Sequence, residues 1–458
     1  MRELLRDLEL VKKYNQAGPR YTSYPPATKF TDAVTWDQVS EKIEENNRSS
    51  RDLSVYVHIP FCETLCWFCG CTTVITPNHD KGRDYVECLG REIAAMSARL
   101  NPARKVVQLH LGGGSPTFLR PDELRRLGEI LHGHFVLAQD VEASVEVDPR
   151  RLTRDHLVAL REVGFHRASM GVQDLDPVVQ EAVHRIQPQE LTLQAMEWMR
   201  ELGYGSINID LIYGLPHQTT ESFGRTVDAI LEMEPDRLAV FSYAHVPWVK
   251  PAQKILEDKV LPTPEVKLQL LKLVIEKLTA DDRYVYIGMD HFAKPTDELA
   301  VAQREKRLQR NFQGYSTRAG SDIYAFGISG ISQVPDAYWQ NEKELPKYRA
   351  VVDAGRVPLH KAYLVSAEDR VRRETIMRTM CDLSLDFAAM SRALGVDFER
   401  HFEKELAALE PFASDGLVVR TPAGLEVTAA GRLFIRNIAM CFDDTLAPVG
   451  KRQHSTTI

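Results

Sequence analysis

The chain has 458 residues, 44% of them hydrophobic, and a formal net charge of −7. That length allows two or three domains with a substantial core. Acids and bases are interspersed, so no long basic tract suits nucleic acid or an anionic membrane, and any anionic substrate must be met by local cations. Residues 1–10 lack an apolar stretch with a small-residue cleavage site, and no run approaches the ~20 apolar residues of a membrane span. The expected location is cytoplasmic. Seven cysteines, four of them within ten residues, do not form the framework of a secreted disulfide protein. Cys88, Cys381 and Cys441 are scattered and read as buried thiols.

In chain order, the run from Gly18, Gly-Pro-Arg-Tyr-Thr-Ser-Tyr-Pro-Pro, favours an extended segment over a packed one, and residues 1–47 are expected to form an arm over a site. From there to about residue 330, β-rich runs alternate with amphipathic helical patterns, the signature of βα units and a parallel sheet. Strands are expected near Ser54–Ile59, Val106–Leu111, Ala143–Val147, Arg167–Val172, Ser206–Ile212, Arg237–Tyr243 and Val285–Gly288. Between the first two, Val86, Leu89, Ile93, Met96 and Leu100 recur at steps of three and four and predict a helix with one apolar face. After about Leu364 come expected helices at Glu368–Cys381, Phe387–Leu394 and Phe398–Leu409, a hairpin over Gly416–Val427, and a last helix at Ala429–Met440. That order resembles a winged-helix module. Between Ser384 and Met440 eight acidic residues accompany six Lys or Arg, which favours packing and substrate enclosure over DNA binding. The expected class is α/β, with an arm over 1–47, a partial (β/α) barrel over 48–363 and a mainly helical domain over 364–458.

Cys62, Cys66 and Cys69 form a CxxxCxxC run directly after the first strand. Thiolates are soft ligands for iron–sulfur clusters or zinc, and three of them leave one corner of a four-iron cluster open. A zinc site would need a fourth ligand, which Cys71 or His79 could supply, although Cys69 and Cys71 are awkwardly close for one tetrahedral centre. The loop Gly112-Gly-Gly-Ser-Pro-Thr follows the second strand, and a glycine run allows close backbone approach and can point N–H groups at a carboxylate or phosphate. It does not read GxGxxG, which excludes a Rossmann dinucleotide site. Glu146 and Asp148 close the third strand, Gln173 follows the fourth and Asp210 lies in the fifth. Barrels of this kind collect chemistry at the C-terminal ends of their strands, so all of these residues are expected on one rim.

CxxxCxxC followed by the triple-glycine loop resembles the radical S-adenosylmethionine superfamily. More narrowly, Tyr21-Thr-Ser-Tyr-Pro, Tyr56-Val-His-Ile-Pro-Phe-Cys, Cys69-Gly-Cys, Ser144-Val-Glu-Val-Asp-Pro, Met170-Gly-Val-Gln-Asp, Asn208-Ile-Asp-Leu-Ile-Tyr-Gly-Leu-Pro, Gly288-Met-Asp-His-Phe-Ala and Arg310-Asn-Phe-Gln-Gly-Tyr resemble the oxygen-independent coproporphyrinogen III oxidase family. The likeness runs from the arm to Arg436-Asn-Ile-Ala-Met-Cys-Phe. Ser115 stands where the family pattern has Thr, and it keeps the hydroxyl.

The resemblance implies a [4Fe-4S] cluster on Cys62, Cys66 and Cys69, with S-adenosylmethionine on the fourth iron. Reductive cleavage of that cofactor gives a carbon radical that takes hydrogen from a propionate β-carbon. Loss of CO₂ and one electron then leaves a vinyl group, and two such steps convert coproporphyrinogen III to protoporphyrinogen IX. It implies two S-adenosylmethionine molecules, the first against Tyr56, Gly113, Glu146 and Ile331. The second would meet Phe68, Gly114, Ser115, Gln173, Arg185, Asp210 and Ala244, with Cys71 beside it and not on iron. It also implies a low-potential electron donor, an electron acceptor and a monomeric chain. Arg20, Arg310, Asn311, Gln313 and Arg318 are candidates for the substrate's propionates, whereas His58 and His291 read as structural. Two other readings are a haem-binding relative and a zinc-stabilised interaction protein. The first would be shorter at its N-terminus and lack Cys69-Gly-Cys71, and the second would present a basic face that this chain does not have.

Overall fold

The computed structural model describes residues 8–257 and 260–446. The expectations for residues 1–7 and for the chain beyond residue 446 lie outside the described residues. The core is a twelve-stranded sheet. Its strands are β1 (Leu53–Ile59), β2 (Lys105–Gly113), β3 (Val136–Val147), β4 (Arg167–Gln173), β5 (Ser206–Tyr213), β6 (Arg237–Ser242), β7 (Val285–Gly288), β8 (His291–Ala293), β9 (Asp322–Phe326), β10 (Ile331–Val334), β11 (Ala337–Asn341) and β12 (Leu359–Leu364). Their spatial order is β12-β11-β10-β9-β1-β2-β3-β4-β5-β6-β8-β7. The run from β9 to β6 is parallel throughout. Both flanks are antiparallel, and β12 and β7 do not pair with each other, so the barrel is partial and not closed.

The parallel strands are buried because helices cover the sheet. In β1 the side chains of Val55, Val57 and Ile59 on one face are fully inaccessible and Ser54 and His58 on the other are buried too, the pattern of a strand enclosed on both faces. The expected helix spans Asp80–Ser97 and buries Val86, Leu89, Ile93 and Met96 on one face. The expected seventh strand exists, but it lies antiparallel at the sheet's edge. The seventh parallel strand is instead β9, which opens on a fully buried Asp322. Arg51 donates to that carboxylate at 2.8 Å, and Arg104 and Asn46 also donate to it, so the charge is matched where it is buried.

The N-terminal segment departs from the expected open arm. Leu8–Tyr14 and Trp36–Asn46 are helices, and the Gly18–Pro26 stretch between them is packed, with Tyr21 and Tyr24 buried. Tyr21 donates to Asp443 at 2.8 Å and Tyr24 to Asp444 at 2.6 Å, while Arg436 donates to the carbonyls of Pro19, at 3.0 Å, and Gly18. Tyr14 stacks on Phe412 with ring centres 4.5 Å apart. The C-terminal region therefore clamps the segment by charge-assisted and aromatic contacts that its glycine and prolines do not reveal.

In that C-terminal region, the helix Ala367–Asp382 leads into Ser384–Asp386, one strand of a three-stranded sheet, the helix Phe387–Leu394 follows, and the hairpin strands Val418–Thr421 and Gly424–Val427 complete the sheet. This is the winged-helix-like order expected. The single helix expected over Phe398–Leu409 is broken at Phe402 into Phe398–His401 and Glu403–Ala407. The last helix opens as a 3₁₀ turn, Gly431–Phe434, before Ile435–Met440.

Candidate active site

The cysteine loop leaves β1 through Phe61, whose fully buried ring packs against Phe118 and Tyr85. Phe61–Cys62 pairs in parallel with Val74–Ile75, which pins the loop at its neck. Its far side is fixed by Trp67, whose N–H donates to the Val183 carbonyl at 3.1 Å and whose ring stacks on His184. Lys250 donates to the Cys71 carbonyl at 2.8 Å, and Gln253 to that of Phe68 at 3.0 Å. Cys62, Cys66, Cys69 and Cys71 all line one cavity of about 320 Å³.

Among the described residues, no three Cys, His, Asp or Glu side chains close on a single ion. A zinc centre needs that convergence. A four-iron cluster does not, because each cysteine takes a different iron and the thiols ring a cavity without meeting at one point. The electrostatics suit such a group. Arg150 and Arg185 each place a guanidinium nitrogen 3.6 Å from the Cys66 sulfur. The Cys71 N–H donates to the Cys69 sulfur at 3.4 Å. The Cys71 thiol, with its N–H behind it, donates to Cys69 and holds that thiol down at about 6, and the thiol-to-thiol contact raises Cys71. Burial, followed by the charges of Cys69 and Cys66, pushes Cys62 up to about 12.

The glycine loop does not act as the sequence suggests. Gly113 donates its N–H to Glu146 Oε2 at 2.9 Å, Gly114 to the Ile59 carbonyl at 2.8 Å, and Ser115 to the Phe61 carbonyl at 2.9 Å. All three N–H groups are engaged inside the protein, so none points at a bound anion. The glycines serve close packing. A Cβ on Gly113, at φ +120°, would stand 2.7 Å from the His58 ring, and one on Gly114 would stand 2.6 Å from the Pro60 carbonyl oxygen.

Glu146 faces the cavity with its side chain partly exposed, and the surrounding protein desolvates it, which by itself raises its carboxyl. His110, 3.5 Å away, and the Gly113 N–H outweigh that desolvation and hold Glu146 below the usual carboxylate range. His110 in turn contacts Ser144 Oγ at 2.5 Å and stacks on Tyr56. Across the cavity, burial and the nearby Glu146 charge lift Asp210 to about 7, against hydrogen bonds from Asn208 at 2.7 Å and Ser169 at 3.3 Å. Asp148 is largely shielded from solvent, yet Arg185 and Arg150 bring it down to about 2. Arg185 donates to the Gly171 carbonyl at 2.6 Å, but among the described residues its Nε has no hydrogen-bond partner, and neither does the buried Oε1 of Gln173. Gln173 ends β4 at φ +71°, a strained conformation for a residue with a side chain. A buried donor and a buried acceptor left unmatched on one cavity wall are what a bound polar ligand would satisfy.

The cavity thus brings together the four loop cysteines, Phe68, Gly113, Gly114, Ser115, Glu146, Gln173, Arg185 and Asp210. Tyr56, Ala244 and Ile331 do not line it. Tyr56 sits behind Glu146 and donates to His58 Nδ1 at 3.0 Å, while the other nitrogen of His58 donates to the Thr72 carbonyl at 2.9 Å. Ala244 is exposed just beyond β6, and Ile331 opens β10, partly buried. Arg150 and His110 were not anticipated. Two signals could have found them: His110 shares a face of β2 with Gly112, two residues on, and Arg150 follows the Asp148–Pro149 strand end.

The family model for the Radical SAM superfamily matches residues 56–230, and that for the HemN C-terminal domain matches residues 365–434. The fold and the cysteine-lined cavity are therefore those of a radical S-adenosylmethionine enzyme, whose cofactors are a [4Fe-4S] cluster and S-adenosylmethionine. The chain is 43% identical to the oxygen-independent coproporphyrinogen III oxidase of Synechocystis sp., over 97% of this chain and 96% of that protein. It is 44% identical to the Escherichia coli enzyme over 99% of this chain and 98% of that one. The solved structure of coproporphyrinogen III oxidase (HemN) from Escherichia coli, described as a radical SAM enzyme, is 44% identical in sequence and superposes with a TM-score of 0.91 over 96% of this chain and 99% of that chain. The chain belongs to the family of oxygen-independent coproporphyrinogen III oxidases.

Proposed function

We propose that the cysteine-lined cavity is where this chain carries out the oxidative decarboxylation of two propionates of coproporphyrinogen III, giving protoporphyrinogen IX in haem synthesis. The observation that carries this reading is the meeting, on one wall, of three cluster-spaced thiols with the unmatched Nε of Arg185 and Oε1 of Gln173. When bound, the cluster and S-adenosylmethionine supply a reductive cleavage whose carbon radical removes hydrogen from a substrate C–H bond. The protein's own part is to bind, orient and exclude side reactions.

Cys62, Cys66 and Cys69 hold the cluster, and Arg150 and Arg185 offset the negative charge of its thiolates. Glu146, kept ionised by His110 and Gly113, accepts from the ammonium group of the first S-adenosylmethionine, with Tyr56 supporting His110 from behind and Ile331 contributing from β10. Arg185 and Gln173 present their unmatched atoms to a second molecule, with Phe68, Gly114, Ser115, Ala244 and Cys71 around it. Asp210 accepts from hydroxyl groups there, and its raised carboxyl also lets it donate. A second opening of about 340 Å³, lined by Cys62, Glu63, Arg150 and Arg151, brings solvent to the outer side of the loop. It is the side from which a low-potential electron donor approaches. Among the described residues no helix is long and apolar enough to cross a membrane.

The test is anaerobic reconstitution with iron and sulfide, followed by assay with coproporphyrinogen III, S-adenosylmethionine and a low-potential reductant. CO₂, deoxyadenosine and protoporphyrinogen IX are expected together. A reconstituted protein that cleaves no S-adenosylmethionine and releases no CO₂ would refute the reading.

A further inference from the structure

Beyond the rim, on the far side of Phe241, lies a concentration of buried positive charge. Phe241 itself lines the cofactor cavity. The Arg20 guanidinium lies 5.9 Å from the centre of its ring and ion-pairs with Asp290. His291 meets the edges of both Phe241 and Tyr315. The Arg310 guanidinium lies 4.8 Å from the centre of the Tyr315 ring, and its Nε donates to the Arg20 carbonyl at 3.2 Å. Arg310 is only 4% exposed, and its Nη1 has no hydrogen-bond partner among the described residues. Arg436 stands behind, donating to the arm carbonyls of Gly18 and Pro19.

Arg20 is held by Asp290, whereas Arg310 has no ion-pair partner among the described residues. The guanidinium groups here feel one another. Burial and the charges of Arg310 and Arg436 bring Arg20 down to about 9, and burial with Arg310 brings Arg436 to about 10. Burial together with Arg310 and Arg20 drives His291 to about 3, so that ring stays neutral. Buried charge in folded proteins is ordinarily paired. A buried guanidinium at Arg310 with an unmatched donor, next to Arg20, is therefore built for an anion from outside. The other sequence candidates are less available: Arg318 is held by Asp140 at 2.8 Å, and Asn311 accepts from the Gln313 N–H at 2.8 Å.

We propose that Arg310 and Arg20, backed by Arg436 and flanked by His291, form a carboxylate site that anchors one propionate of the tetrapyrrole substrate, with Phe241 separating it from the cofactor cavity. This rests on the decarboxylase reading above. Anchoring one propionate by a two-point guanidinium contact fixes the register of the macrocycle, and so decides which other propionate reaches the cavity.

The probe is coproporphyrin III, the oxidised form of the macrocycle, which carries the same four propionates. Its binding to the reconstituted holoenzyme is followed by fluorescence quenching. Arg310→Gln should weaken binding about tenfold or more, the loss of one charge-assisted contact. Arg310→Lys should recover part of the loss, and the surface control Arg125→Gln should bind as the wild type does. The structural alternative is separated by a measurement on the wild type alone: the tetramethyl ester, with the macrocycle intact and the charges removed, should bind at least about tenfold more weakly than the acid. Unchanged affinity in Arg310→Gln, or equal binding of acid and ester by the wild type, overturns the proposal. Wild-type holoenzyme that binds no coproporphyrin III counts against the decarboxylase reading as well.

Discussion

Gly114→Ala is the sharpest test of how the glycine loop works. The new Cβ would stand 2.6 Å from the Pro60 carbonyl oxygen, 2.7 Å from the carbonyl carbon and 2.8 Å from the Phe61 carbonyl oxygen. Ordinary contact begins at 3.4 Å, so the shortest approach is about 0.8 Å too close. All three obstacles are backbone atoms, so no side chain can rotate away. Both strands are also tied, Ser115 N–H to the Phe61 carbonyl at 2.9 Å and Val74 N–H to the Pro60 carbonyl at 2.8 Å. Relief must stretch one of these bonds. Overpacking of this kind costs about 1–3 kcal/mol, and a strained hydrogen bond adds about 1 kcal/mol, giving about 2–4 kcal/mol in all. The damage falls on the neck of the cysteine loop, so iron retention should drop together with stability. Gly133→Ala is the control. It lies exposed in the helix Pro121–His134 with nothing within 4 Å, and should stabilise the chain by up to about 1 kcal/mol. The assay is anaerobic denaturant unfolding of both variants beside iron counting. A Gly114→Ala protein with wild-type midpoint and full iron would refute the packing argument.

Serine at Cys62, Cys66 or Cys69 should abolish iron retention, whereas Cys71→Ser should keep the iron and lose turnover; iron counts on the four reconstituted variants decide it. Asp148, brought from its ordinary 3.8 to about 2, contributes stability that is present above about pH 4 and lost as pH falls through about 2. The shift corresponds to on the order of 2 kcal/mol. The cluster-free Asp148→Asn chain should therefore unfold earlier than wild type near neutral pH, with the difference shrinking toward pH 2. His110→Gln removes the imidazole contact that holds Glu146 down, so its carboxyl should take up a proton at a higher pH than in the wild type. S-adenosylmethionine affinity measured from about pH 8 to 6 should fall more steeply in the variant, and parallel profiles would separate His110 from Glu146.

Much of this arrangement is written in local patterns. The strands β1 to β6 were readable from short β-rich runs between turn signals, although β3 begins at Val136, well before the expected Ala143, and the cysteine run carried its chemistry in its spacing. The stretch from residue 322 to 364, which holds the seventh parallel strand β9 and the antiparallel strands β10 to β12, was not. Its strands are short, and β9 begins with a buried aspartate whose cost is cancelled by Arg51 and Arg104 from distant parts of the chain. Sequence shows the charge but not the partners. The same limit hid Arg150, since arginines are mostly exposed and only the folded chain places this one on Asp148 and Cys66. It also reversed the glycine loop: the residues showed that backbone could approach closely, while the direction of the three N–H groups is set by Ile59, Phe61 and Glu146 across the neighbouring strands.

The most direct test is Mössbauer spectroscopy of the anaerobically reconstituted protein, recorded before and after S-adenosylmethionine is added. With cysteine at three corners only, one iron of the cluster should be distinguishable from the rest, and its signal alone should shift when the cofactor binds. Four equivalent irons that ignore the cofactor would contradict the account.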